Sequence, residues 1–98
     1  MAKTSPKKKD NKRRVTFSLE APTANEVSLG GDFNNWDHFA HPMKVDANGV
    51  WKKTLVLAPA RYEYKFLVDG RWRNDPKNDK TCPNSFGTQN NVLVVSQS

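Results

Sequence analysis

The segment Arg61–Arg73, with the sequence RYEYKFLVDGRWR, constrains the fold more than any other part of the chain. Four aromatic and apolar residues recur in it with a period of two, which in a β-strand places them all on one face. They are Tyr62, Tyr64, Phe66 and Val68. Asp69-Gly70 then predicts a type I′ turn, because both central residues of that turn need a positive φ angle. The segment therefore predicts an antiparallel hairpin with one face in an aromatic core.

A two-residue turn also fixes the register of this hairpin. Val68 is then opposite Arg71, and Leu67 is opposite Trp72. Trp72 consequently stands on the outward face, beside Leu67 and diagonal to Lys65. A large aromatic side chain that a stiff hairpin directs at solvent needs a functional explanation, which the rest of the chain has to supply.

The net charge of the chain is concentrated in its first 14 residues. This segment contains seven Lys and Arg residues and one acidic residue, so it carries the entire net charge of +6 and the rest is neutral. It has no apolar periodicity, and we predict a disordered basic tail at residues 1–14 and one folded domain at residues 15–98. Such a tail can contact nucleic acid through counterion release, but without interleaved aromatic residues a solvated terminus is favoured. Nucleic acid is therefore not an expected partner.

The chain has no apolar segment of the signal-peptide or transmembrane type, so we expect neither secretion nor a membrane partner. Cys82 is the single cysteine, which excludes a disulfide within the chain and fits a reducing compartment. We therefore expect a cytoplasmic protein.

Short alternating segments separated by turn signals run through the rest of the chain, and no window has helical periodicity. Apart from the hairpin, the predicted strands centre on Val15–Leu19, Val27–Leu29, Met43–Val45, Val50–Leu57 and Val92–Val95. In the fourth of these, we expect Trp51 to share a core face with Leu55 and Leu57. About six or seven short strands without helices between them predict an all-β fold, an immunoglobulin-like antiparallel β-sandwich in a single domain.

The polar side chains show no pattern of a catalytic or metal site. Asp32 and Asp37 are close in sequence, but glycosidic hydrolysis needs two carboxyl groups facing each other across a cleft, so turn capping is the better interpretation. His38, His41 and Cys82 lack the paired spacing of zinc ligands, which favours histidines on a surface loop. We therefore expect no enzyme activity, no metal and no cofactor.

Three aromatic residues are instead expected at the surface. Trp36 lies in a polar loop, Trp72 points outward, and Phe86 lies in the loop before the last strand. Aromatic rings can stack on the C–H face of a pyranose, while nearby polar side chains hydrogen-bond its hydroxyl groups. The polar candidates are Lys65, Thr88, Asn90 and Asn91. The alternative is that both tryptophans fold over the protein itself, and composition alone does not separate the two interpretations.

Several motifs, agreeing in order and spacing, resemble one known family. They are VSLGGDFNNW at 27–36, YKFLVDGRW at 64–72, DP at 75–76 and GTQNN at 87–91. Over roughly residues 14–96 the chain resembles carbohydrate-binding module family 48. This group includes the glycogen-binding domain of the AMP-activated protein kinase β subunit and the N-terminal early-set domains of isoamylase and glycogen-branching enzymes.

The resemblance implies non-catalytic binding of an α-1,4-glucan such as glycogen, starch or a maltooligosaccharide, on an early-set sandwich. Transferred motif by motif, the implied carbohydrate-binding residues are Trp36, Lys65, Trp72, Phe86, Thr88 and Asn90. The chain departs from the kinase version at Phe86, where leucine is usual. It also has Ala60 where glycine is frequent in the family, and neither change removes a sugar contact.

Two other functions stay open. One is an early-set interaction module that partners, or is excised from, a glycoside hydrolase family 13 type enzyme or a kinase β-like subunit. The other is a glycoside hydrolase, which is supported only by the resemblance of this chain to domains of such enzymes. Retention of both tryptophans with the lysine and the asparagine favours the binding module. Because the chain ends shortly after the last predicted strand, we expect either a stand-alone binder or a piece of a larger protein, with a glucan-metabolising enzyme or kinase complex as a further partner.

Overall fold

A computed structural model describes residues 12–96, and this part of the chain folds into eight strands and one short 3-10 helix. The strands are β1 (Arg13–Glu20), β2 (Val27–Gly31), β3 (Lys44–Val45), β4 (Val50–Leu57), β5 (Ala60–Val68), β6 (Arg71–Arg73), β7 (Thr81–Pro83) and β8 (Gln89–Val95), and the 3-10 helix spans Asp32–Asn34. The all-β prediction is confirmed. Strand β7 was not predicted, because this short strand lies in a polar stretch without apolar alternation. Among the described residues, no helix is long and apolar enough to cross a membrane.

The strands pair antiparallel in two sheets. One sheet has the order β1-β4-β3, and the other has the order β2-β5-β8-β7 with β6 also paired to β5. Side chains from both sheets form one hydrophobic core. Its main members are Phe17, Leu19, Val27, Leu29, Trp51, Leu57, Tyr64, Phe66, Val68 and Val95. The inner faces of two antiparallel sheets thus enclose the core, which confirms the predicted immunoglobulin-like sandwich.

Strands β5 and β6 form the predicted hairpin in the predicted register. Leu67 lies opposite Trp72, and the turn residues Asp69 and Gly70 have φ angles of 49° and 83°. A type I′ turn needs positive angles at both positions, and glycine adopts them without steric cost. Trp72 therefore points away from the core, and 43% of its surface is exposed.

Strand β4 directs the third tryptophan inward, as predicted. Trp51 is buried opposite Leu19 of β1, and its Nε1 donates a hydrogen bond of 2.9 Å to the carbonyl oxygen of Ala21. Leu57 is buried on the same face, and Leu55 packs against the core. Trp51 therefore belongs to the core, where its polar N–H group is satisfied by the backbone.

Strand β1 begins two residues before the predicted domain boundary. Arg13 and Arg14, which we assigned to the basic tail, pair with Leu57 and Val56 of β4. Charged side chains on an edge strand carry no apolar periodicity, so the pattern did not reveal them. Residues 1–11 lie outside the described residues, and the disorder predicted for them stays a prediction.

Candidate functional site

An open pocket of about 760 Å³ lies on the outer face of the five-stranded sheet. Strands β5, β6 and β8 and two loops supply its lining, which consists of Trp36, Glu63, Lys65, Trp72, Asn84, Ser85, Phe86, Thr88 and Asn90. The fold thus brings together all six side chains that the motifs singled out. It adds Glu63, Asn84 and Ser85, which sequence analysis did not identify.

Trp72 reaches from β6 across β5 to a glycine of β2. Gly30 pairs with Lys65 of β5, and a Cβ atom at Gly30 would lie only 2.8 Å from Cη2 and 2.9 Å from Cζ3 of Trp72. These separations are shorter than an ordinary contact between carbon atoms. The missing side chain at Gly30 therefore lets the indole approach the sheet, a contact that no local sequence signal indicates.

Trp36 is held in an uncommon backbone conformation. Asn35 and Trp36 have φ angles of 55° and 61°, and a bulky residue in this left-handed region is rare because it costs about 1–3 kcal/mol. Two hydrogen bonds hold it there, from its backbone N–H to the Gly31 oxygen at 2.9 Å and from its Nε1 to Asp32 Oδ1 at 3.1 Å. The Trp36 and Trp72 rings are 5.9 Å apart and inclined by 72°. The two indoles therefore form an angled pair instead of a flat surface.

The two carboxylates of the Trp36 loop both accept hydrogen bonds from backbone N–H groups. Asp37 Oδ1 accepts from the N–H of Phe39 at 3.0 Å, which confirms the turn-capping interpretation for this residue. For Asp32 that interpretation is wrong, because its Oδ2 accepts from the N–H of Glu63 in another strand, at 2.8 Å. Asp32 thus ties the loop to β5 while its other oxygen holds Trp36.

Phe33 and His41 anchor the same loop to the sandwich. The Phe33 ring lies 5.5 Å from that of Phe17 in the core and 6.3 Å from that of His41. Burial, followed by the charge of Lys53, lowers the pKa of His41. Its neutral Nδ1 can therefore accept the 2.7 Å hydrogen bond from Asn34 Nδ2. Within residues 12–96, no group of three or more His, Cys, Asp or Glu is arranged to hold a metal ion.

Lys65 faces outward as predicted, yet only 7% of it is exposed. It lines the pocket beside Trp72 and the β7–β8 loop, and its Nζ donates a hydrogen bond of 3.3 Å to Thr88 Oγ1. The ammonium group is therefore positioned at the pocket surface by its neighbours. A solvated surface lysine would have no such fixed orientation.

The Asn84 side chain organises the loop that carries Phe86. Its Oδ1 accepts hydrogen bonds from the N–H groups of Phe86 at 2.9 Å and Thr88 at 3.1 Å. Its Nδ2 donates to Thr88 Oγ1 at 2.8 Å and to Asn90 Oδ1 at 2.9 Å. Phe86 itself is 88% exposed. One amide therefore presents an exposed phenyl ring and orients two of the polar groups beside it.

Glu63 supplies the one carboxylate among the described residues that line the pocket. Its Oε1 accepts from Asn90 Nδ2 at 3.0 Å, and its Oε2 accepts from Arg61 Nη1 at 2.9 Å. Hydrogen bonds from Asn90 first, and then from Cys82 and Arg61, hold the pKa of Glu63 below its ordinary value. Glu63 is therefore ionised at neutral pH and acts as a hydrogen-bond acceptor instead of a proton donor.

Asn91 lies away from the pocket, which corrects the prediction that it contacts sugar hydroxyls. It is fully buried, its Oδ1 accepts from the N–H of Asp75 at 2.6 Å, and its Nδ2 donates to the Asn78 oxygen at 2.9 Å. Successive residues of a strand point to opposite faces. Of the two adjacent asparagines, only Asn90 therefore reaches the pocket, and Asn91 holds the Asp75–Asn78 loop.

Comparison with known proteins identifies the family. The chain is 42% identical over 82 residues to the chloroplastic PTST homolog 2 of Arabidopsis thaliana, which covers 83% of this chain and 15% of that protein. It is 38% identical over 72 residues to AMP-activated protein kinase subunit β-1 of Sus scrofa, and this match covers 74% of this chain and 56% of that protein. It is 45% identical over 56 residues to the 1,4-α-glucan branching enzyme GlgB of a Bradyrhizobium species, and this match covers 57% of this chain and 8% of that protein.

The chain thus spans between 8% and 56% of the length of these relatives. The family model of the glycogen recognition site of AMP-activated protein kinase matches residues 14–98. This match includes both sheets and every residue that lines the pocket, and it confirms the resemblance inferred from the motifs. The chain belongs to the family of the glycogen recognition site of AMP-activated protein kinase.

Proposed function

We propose that this chain binds an α-1,4-glucan, such as glycogen, starch or a maltooligosaccharide, in the pocket lined by Trp36, Lys65, Trp72, Phe86, Thr88 and Asn90. Family membership supports the ligand class. The observation that carries the proposal is the angled pair of indoles at an open pocket with polar side chains around it. Stacking on the rings and hydrogen bonds to the polar groups are the two interactions that a neutral sugar needs.

The angle between the rings favours a curved glucan over a flat one. An α-1,4-linked chain curves, because each linkage turns the next glucose unit, whereas a β-1,4-linked chain is an extended ribbon that matches coplanar rings. Trp36 and Trp72 are inclined by 72°. Two sugar units of a curved chain can each meet one of these rings, while a flat ribbon cannot stack on both.

We also propose that binding occurs without hydrolysis. A glycosidase needs two carboxyl groups that flank the scissile bond. Among the described residues that line the pocket, Glu63 supplies one, and Asn90 and Arg61 already engage its oxygens. This arrangement supports recognition of hydroxyl groups and offers no acid–base pair.

Sedimentation with glycogen or amylose, compared with cellulose, tests the proposal. We expect the chain to sediment with both α-glucans and to stay in solution with cellulose. Incubation with maltoheptaose should release no reducing ends above a blank. Equal sedimentation with cellulose would contradict the α-glucan assignment, and enzyme-dependent release of reducing ends would contradict binding without hydrolysis.

A second proposed function is delivery of the glucan to a partner enzyme or kinase complex. It is favoured by the kinase subunit and the branching enzyme among the relatives, each of which is longer than this chain. Co-purification of the Trp72→Ala variant with the same enzyme as the wild type would show that the two proteins contact each other directly instead of through shared glucan.

We propose a cytoplasmic location for this function, and we expect no nucleic-acid partner. The Arabidopsis relative is named as a chloroplast protein. Cell fractionation therefore tests the proposed location.

A further inference from the structure

Two aromatic side chains extend the pocket surface without lining the pocket. The His38 ring lies 6.0 Å from the Trp72 ring and meets it edge-on at 82°. The Phe39 ring lies 4.2 Å from the His38 ring, with 39° between their planes. We call His38 and Phe39 the outer aromatic pair. It makes the aromatic surface continuous from Trp36 through Trp72 to Phe39.

The loop holds Phe39 in an exposed position. Phe39 is 83% exposed, although burial of an apolar side chain of this size is favourable. Its N–H donates to Asp37 Oδ1 at 3.0 Å, and the next residue, Ala40, donates to the Asp37 oxygen at 3.0 Å. The loop then joins β2 through a 3.0 Å hydrogen bond from Leu29 N–H to the His41 oxygen. Phe39 is therefore presented by a closed turn that is tied to the sheet.

We propose that the outer aromatic pair is a further glucan subsite, which binds a sugar unit of an α-glucan that continues past Trp72 out of the pocket. This inference rests on the proposed function of the pocket. Successive ring centroids from Trp36 to Phe39 are 5.9, 6.0 and 4.2 Å apart, separations comparable to the size of a pyranose ring. A chain that stacks on Trp72 and extends in this direction meets the exposed Phe39 ring next.

The size of the pair argues for a sugar unit over a protein partner. A stable protein interface buries about 800 Å² on each partner, which is far more than one phenyl ring and one imidazole ring offer. One pyranose face, by contrast, covers one aromatic ring. The outer aromatic pair is therefore matched to a single sugar unit.

Chain-length dependence follows from this arrangement. An oligosaccharide short enough to fit within the pocket contacts the two tryptophans and does not reach Phe39, whereas a longer one contacts both. Phe39→Ala should therefore reduce affinity for long oligosaccharides and leave affinity for short ones unchanged. Because Phe39 is exposed, its truncation should also leave thermal stability unchanged.

Calorimetric titration of the full 98-residue chain with maltooligosaccharides of increasing length, up to maltoheptaose, tests the subsite. The shortest sugar that the wild type binds measurably is compared with maltoheptaose. For Phe39→Ala we expect about a three- to ten-fold loss with maltoheptaose, the range for one aromatic stacking contact, and less than about a two-fold loss with the short sugar. Two variants serve as matched controls. Phe86→Ala should weaken binding of both the short sugar and maltoheptaose. Val56→Ala, at an exposed position of the other sheet, should leave binding of both sugars unchanged.

Each result has a distinct meaning. If Phe39→Ala binds both sugars as the wild type does, the outer aromatic pair is not a subsite and its exposed ring has another role, including contact with a protein. If Phe39→Ala weakens both lengths equally, Phe39 belongs to the pocket itself and the extension is wrong. If the wild type binds no oligosaccharide at any length, the proposed function fails first, and this inference fails with it.

Discussion

At the level of single residues, Trp72 is the side chain on which the proposed binding surface depends most. It contacts Trp36 and His38 and lies over Gly30. Truncation of a central aromatic anchor commonly costs about 2 kcal/mol of binding energy, and about 1.4 kcal/mol is a tenfold change in affinity. We expect Trp72→Ala to weaken α-glucan binding tenfold or more, with little change in thermal stability because the indole is outside the core. Titration with maltoheptaose and a melting curve measure both, and unfolding of the variant with unchanged binding by the folded fraction would contradict this role.

Gly30 offers a second test at the same scale, because a methyl group there would displace Trp72. The colliding atoms belong to the far edge of the indole, which can move at the cost of an unfavourable rotamer, about 0.5–1.5 kcal/mol. We therefore expect Gly30→Ala to weaken glucan binding about two- to ten-fold, with a smaller effect on stability. A double-mutant cycle provides the control. In the Trp72→Ala background, Gly30→Ala should cause no further loss of glucan affinity. If it lowers affinity as much there as in the wild type, Gly30 acts through a contact other than the one with Trp72.

At the level of structural elements, the β7–β8 loop depends on Asn84 for its shape. Asn84→Ala removes the acceptor for the Phe86 and Thr88 N–H groups and the donors to Thr88 and Asn90. A typical hydrogen bond contributes about 0.5–1.5 kcal/mol. We expect about tenfold weaker glucan binding and faster amide exchange at Phe86 and Thr88. Val56→Ala, at an exposed position of the other sheet, should change neither binding nor these exchange rates. Unchanged exchange rates in Asn84→Ala would show that the loop keeps its shape without the amide.

The β5–β6 hairpin shows how one element supports both the fold and the pocket. Asp69 supplies a turn angle, and its Oδ1 also accepts hydrogen bonds from the N–H groups of Asn25 and Glu26, both at 2.9 Å. The turn is therefore fastened to the loop before β2. The strand on one side of this turn buries Tyr64 and Phe66, while the other carries Trp72 outward. A single element thus ties the position of the pocket to the core.

At the scale of the whole molecule, stability and proposed binding depend on different tryptophans. Trp51 is buried in the core and donates to the Ala21 oxygen, and loss of a buried aromatic side chain typically costs about 3–5 kcal/mol. We expect Trp51→Ala to lower the free energy of unfolding by about 3 kcal/mol or more, and to leave glucan affinity per folded molecule unchanged. Denaturant unfolding with and without maltoheptaose measures both quantities. A stable variant that has lost binding would instead place Trp51 in the function of the pocket.

The sequence by itself determined the features that depend on neighbouring residues in the chain. Alternation in β5 fixed its core face, and Asp69-Gly70 fixed the turn, the register and therefore the outward direction of Trp72. These features follow from backbone geometry over a few residues, which is why they could be predicted. The family motifs likewise indicated the six pocket residues before any geometry was known, although their contacts with sugar stay a prediction.

Only the tertiary structure decided which polar residues share a surface. Asn90 and Asn91 are adjacent and chemically identical, yet one lines the pocket and the other is buried under the Asp75–Asn78 loop. Gly30, Glu63 and Asn84 gain their roles from residues that are distant in sequence or folded back in a loop, and no periodicity encodes such contacts. Lys65 is buried although it lies on the outward face, and it hydrogen-bonds Thr88 of a loop that is distant in sequence. The physical reason is common to all of these: strand alternation is local, whereas a pocket is made by side chains that the packing of separate strands and loops brings together.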